Sequence, residues 1–206
     1  MSQIYFFSRV LVIQNFQEEI YMADVKTMVM DVLTASDTQK IKSFSFGGKG
    51  FSPSVFPILK ELVQSGAIKV EYDSSKSGMA EYDYGTNTFY LGFTEASSLT
   101  RKALVLHEAT HAVYDMVKTK MSVADSESIA YIVQCQYAQA NNSDPTQRLT
   151  GNTDAKDKVF ELAWAIAGKL LAGQKPTLSE YNALREAVSR HPYYMGKAAA
   201  DAGFNG

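Results

Sequence analysis

Apolar residues recur at three- and four-residue intervals along most of this chain, and that spacing predicts a mainly helical fold. Val10, Ile13, Phe16, Ile20, Met28 and Leu33 mark one or two helices over residues 10–34. Pro53 can open a helix that runs to Ser65 through Val55, Leu59, Leu62 and Val63, with Gly66 ending it. A longer pattern begins at Ser97 or Ser98, either of which can cap it. It continues through Leu104, Val105, Leu106, Ala109, Val113, Met116 and Val117, and Lys118 and Lys120 suit its C-terminal end. Ser122, with Asp125 three residues on, starts the next helix, which reaches Tyr137 or beyond. Residues 154–171 and 178–190 give two more, the last stopped by His191-Pro192.

Strands are few and short. Residues 67–72 and 87–93 read as two, expected to pair as an antiparallel ribbon, with the polar stretch 74–85 as a turn or wide loop between them. Phe46-Gly47-Gly48-Lys49-Gly50-Phe51 has the glycines of a phosphate-binding turn, but it lacks the terminal Lys-Ser/Thr pair and a preceding β-run. Residues 43–52 therefore read as a flexible or lid-like loop. With no repeat and no linker, the expectation is an α+β fold. It is one mainly helical domain over residues 1–206, with a small antiparallel or mixed sheet ahead of the longest central helix.

Composition narrows the function classes. A hydrophobic content of 46% against 20% charged residues fits a folded protein and argues against disorder. The formal charge of −2 implies no broad attraction to nucleic acid or an anionic membrane. A single cysteine, Cys135, excludes an internal disulfide and reads as a buried structural thiol. Ile4, Tyr5, Phe6 and Phe7 are followed by Arg9 with no small-residue cleavage pattern, so no Sec leader and no membrane span is expected. That places the protein in the cytoplasm, or outside by a leaderless route.

The chemistry concentrates in His107-Glu108-Ala109-Thr110-His111, inside the long helix. Residues i and i+4 share a helix face, so both imidazoles can point at one metal while Glu108 acts as general base toward a water on it. Two of the three histidines in the chain fall here, within an apolar pattern where a free glutamate is costly. A catalytic zinc takes three protein ligands and keeps one position open. Glu127 is the strongest third ligand. The break near residues 119–121 makes the two helices antiparallel, with His111 roughly 12 Å before it and Glu127 roughly 7–8 Å after Ser122 along the axes. Asp115, in line with the two histidines, reads as a supporting partner or a surface group, and Asp125 as the capping residue. His191 can be read as a third ligand, a donor to the oxyanion or a plain helix-end histidine. Tyr131, one turn past Glu127, is a candidate donor to the developing oxyanion, and Tyr193 and Tyr194 can cover the cleft.

These pieces resemble the zincin metallopeptidases of the gluzincin branch: His107-Glu108-Ala109-Thr110-His111 on one helix and Ser126-Glu127-Ser128-Ile129-Ala130-Tyr131 on the next. The resemblance implies a zinc endopeptidase, with Zn2+ bound by His107, His111 and Glu127 and with Glu108 activating water. It also implies an edge strand before the active helix, at residues 87–93, that holds a protein or peptide substrate by strand addition. The extended metzincin motif is absent. A short chain with His-Glu-Ala-Thr-His-Ala also looks like the small metallopeptidase domains of bacterial toxins and secreted effectors. The same chemistry would serve a non-peptide or cell-wall amide, and a zincin fold without turnover would serve as a binding protein. Glu108 favours hydrolysis over binding, because a purely structural zinc has no use for a base.

Overall fold

A computed structural model describes residues 25–144 and 147–206. Of the helical pattern expected over 10–34, residues 25–34 form a helix (α1), and the remainder lies outside the described residues. A hairpin of β1 (Phe44–Phe46) and β2 (Lys49–Phe51) follows, then α2 (Phe56–Ser65). A three-stranded sheet comes next, from β3 (Lys69–Tyr72), β4 (Ala80–Asp83) and β5 (Thr88–Leu91). Four helices complete the fold: α3 (Leu99–Met116), α4 (Val123–Asn141), α5 (Asp154–Leu171) and α6 (Leu178–Arg190). The arrangement is α+β and mainly helical, with two small sheets ahead of the main helices.

Local chemistry sets the helix ends where the sequence places them. Ser98, Ser122, Thr153 and Thr177 each accept a backbone N–H from the first turn of α3, α4, α5 and α6 respectively, and Thr177 with Glu180 forms a full capping box. Pro53 opens a short 3-10 turn that leads into α2, and Gly66 ends α2 at φ +82°.

Three expectations fail, each for a physical reason. Residues 43–52 are an anchored hairpin and not a loose loop. Gly47 and Gly48 both take positive φ at its turn, while Phe44, Phe46 and Phe51 are buried. The pairing of β3 with β5 is parallel, so the ribbon is not antiparallel. And 87–93 is no edge: β5 is the middle strand of β3-β5-β4, with Thr88, Phe89 and Leu91 buried. The edges are β3 and β4, and β4, inside the stretch read as loop, is the one that meets α3.

The core runs from the sheet through the helices, with Leu59, Phe89, Leu106, Ile129, Ile132 and Leu184 fully buried. α4 is its axis. Every residue from Ser128 to Ala138 is buried, the polar Ser128, Gln134 and Gln136 included, and α3, α5 and α6 pack around it. Cys135 is among these residues, and burial pushes its thiol up. No described helix is long and apolar enough to cross a membrane.

Candidate metal centre

α3 carries His107, Glu108 and His111 on its buried face, beside the start of α4. The turn between the helices takes Lys118 through φ +51° and delivers α4 antiparallel to α3, so Glu127, in its second turn, meets the two imidazoles. The first N–H groups of α4 are not left bare. Val123 N–H donates to Ala200 O (2.9 Å) and Ala124 N–H to Ala198 O (3.0 Å), from the segment after α6.

One ligand atom from each of His107, His111 and Glu127 lies within 4.8 Å of the others. His107 Nε2 is 3.3 Å from Glu127 Oε2, and His111 Nε2 is 3.6 Å from Glu127 Oε1. A tetrahedral zinc with bonds of about 2.0–2.1 Å sets its ligand atoms roughly 3.3 Å apart. The spacing fits a metal.

The far sides of the rings fit as well. His107 Nδ1 faces Gln134 Oε1 at 3.0 Å, and that oxygen can only accept, so Nδ1 carries the hydrogen. His111 Nδ1 meets Ser126 Oγ at 2.8 Å. Neutral His107 then turns an Nε2 lone pair toward the carboxylate of Glu127, and the Ser126 hydroxyl, which can donate or accept, holds His111 with its Nε2 toward the same carboxylate. Lone pairs do not face a carboxylate at this distance unless a proton or a metal stands between them.

Electrostatics point the same way. Burial drives His111 down to about 4, helped by the like charge of His107 and opposed by Glu127. Burial also works against charge on His107, but the hydrogen bond to Glu127 and the charges of Glu108 and Glu127 raise it overall. Glu127 is held down to about 2: burial opposes ionisation, and His111, His107 and a hydrogen bond from Tyr194 outweigh it. Glu108 is pushed up to about 7, chiefly by burial, although His107 and the N–H of Tyr82 favour its anion. Two carboxylates and two imidazoles share one desolvated volume, which a cation held there would balance.

Glu108 is placed by the sheet. The Tyr82 N–H, on the free edge of β4, donates to Glu108 Oε2 at 2.9 Å. The same tyrosine reaches two turns along α3, where its hydroxyl donates to Asp115 Oδ2 at 2.8 Å. Asp115 is buried and also accepts the N–H groups of Asn205 (2.7 Å) and Gly206 (3.0 Å), so it supports the site and is no surface group. Asp125 accepts Arg185 Nε at 2.6 Å, tying α6 to α4.

The tyrosines sort themselves. Tyr131 packs edge-on against the His107 ring, centroids 4.7 Å apart. Tyr194 donates its hydroxyl to Glu127 Oε2 at 2.8 Å, and Tyr131 lies beside it. His191 lies outside the cluster of ligand atoms. Its Nδ1 accepts the Tyr193 N–H at 3.2 Å, and its ring lies 5.3 Å from that of Tyr194. Sequence reasoning missed Ser126, Gln134 and the backbone of Tyr82. The first two were legible in principle, since they occupy α4 one residue before and one heptad after Glu127. No protein-family model, curated protein or solved structure matches the chain.

Proposed function

We propose that this protein hydrolyses peptide bonds with a zinc ion held by His107, His111 and Glu127. The observation that carries the reading is Glu108: a buried acid beside the triad, held by a strand edge and pushed up to about 7. A structural site needs no such group, whereas a general base is most effective near the working pH.

Zinc, when bound, supplies Lewis acidity that polarises the scissile carbonyl and acidifies water. The chain's own residues do the rest. Glu108 Oε2 is engaged by Tyr82, which leaves Oε1 to take the proton from attacking water and pass it to the leaving amine. The Tyr194 hydroxyl, already at the centre, is the donor best placed for the oxygen that gains negative charge. Tyr131 backs Tyr194, and His191 positions it from behind. An extended substrate chain pairs with the edge of β4, in place of the 87–93 strand first expected.

Glu108→Gln tests this directly. Zinc content measured by mass spectrometry stays at the wild-type level, while cleavage of a mixed peptide library falls at least about a hundredfold. Unchanged turnover removes Glu108 as the base.

A further inference from the structure

Two segments wall the metal centre. One is β4, whose Tyr82 N–H touches Glu108; the other is the turn after α6, whose Tyr194 touches Glu127. The segment that follows this turn crosses from the second wall to the first. Asp201 makes an antiparallel bridge with Ser122, and Ala202 N–H donates to Met121 O at 2.9 Å. Gly203, at φ +85°, then passes so close under Tyr84 that an added Cβ would lie 2.7 Å from its ring. Phe204 stacks edge-on against Tyr84 (6.2 Å, 88°), with its ring centroid 6.4 Å from that of His111. The N–H groups of Asn205 and Gly206 fix the crossing to Asp115.

The other end of β4 is different. Met79 is 63% exposed there, so that end is open to solvent.

From this geometry we infer a groove between these segments that is blind on the His111 side, stopped by Phe204 and Tyr84, and takes the end of a chain in preference to its interior. The inference rests on the peptide-hydrolysis reading and narrows its substrate class to peptides with a free terminus near the scissile bond. A substrate paired with β4 meets the stop as soon as it extends past Tyr82 toward Tyr84. Removing Phe204 opens the passage without touching a ligand or the base.

Two series of zinc-directed probes test it on the zinc-loaded protein, by calorimetric binding and without reliance on turnover. Peptidyl hydroxamates of one to four alanines extend from the metal on the acyl side, and mercaptoacetyl-peptides of one to four alanines extend on the amine side. Affinity rises with length in one series; in the other it stalls after one or two residues and drops at least about tenfold by the fourth. Phe204→Gly restores the rise, and Phe204→Leu, which keeps an apolar stop, does not. Equal gains with length in both series of the wild type overturn the blind end alone. Should neither series bind, the inference falls together with the zinc-hydrolase reading. Thermal melts of both Phe204 variants within a few degrees of wild type show that the comparison is between folded proteins.

Discussion

His107 and His111 each commit one ring nitrogen to the protein and offer the other to the centre. Gln134 and Ser126 decide which is which. Outer partners of metal-bound histidines set tautomer and ring angle, and their loss typically costs about 10–100-fold in metal affinity. Gln134→Leu therefore weakens zinc by that range in a chelator competition titration, and Ser126→Ala does so toward the lower end. Wild-type affinity in both variants would show that the rings are fixed by packing alone. The cluster of His107, His111 and Glu127 was legible because helical spacing puts two histidines on one face and a capped turn sets the level of Glu127. Tyr194 was legible only as a tyrosine near a cleft. Its hydroxyl reaches Glu127 because the chain after α6 folds back over α4, which no local pattern announces.

Helices and strands differ in how plainly the sequence wrote them. α5 and α6 fall on the expected residues because each has a side-chain cap and a long apolar face. β4 escaped notice: four residues, Ala-Glu-Tyr-Asp, with only Tyr82 buried, carry too little alternation to stand out from a polar loop. Once β4 is missed, β5 looks like an edge. Gly92 shows how tightly this region closes, since a Cβ there would sit 2.0 Å from Lys76 O. Gly92→Ala forces the turn before β4 to move and lowers stability by about 2–4 kcal/mol in urea unfolding; an unchanged midpoint would mean the turn yields freely. At the start of α6, Glu180 is held down to about 2 by Lys169 and by the N–H and hydroxyl of Thr177. Its folded value is depressed, so its contribution is full above the ordinary carboxylate value near 4.5 and is lost as pH falls toward 2. Glu180→Gln should therefore flatten the decline in urea midpoint between about pH 5 and about pH 2. A slope identical to wild type would show that the pair with Lys169 is fully screened.

For the whole molecule, the organising fact is a central helix, buried from Ser128 to Ala138, that carries Glu127. α4 is held by α3, α5 and α6 and by the segment around Ala198–Ala200, so Glu127 cannot drift from the histidines without disturbing the core. This rigidity suits a catalytic centre, where geometry must persist through turnover. The general class, α+β with helices dominant, could be read from apolar spacing; the order of the sheet and the closing segment could not, because both depend on contacts distant in sequence. The central claim is that three side chains hold one metal. A crystal soaked in zinc, with anomalous data collected on both sides of the zinc edge, tests it most directly. The account predicts one strong anomalous peak enclosed by His107 Nε2, His111 Nε2 and the Glu127 carboxylate, and its loss in Glu127→Ala crystals. A peak elsewhere, or none at this triad under saturating zinc, would contradict it.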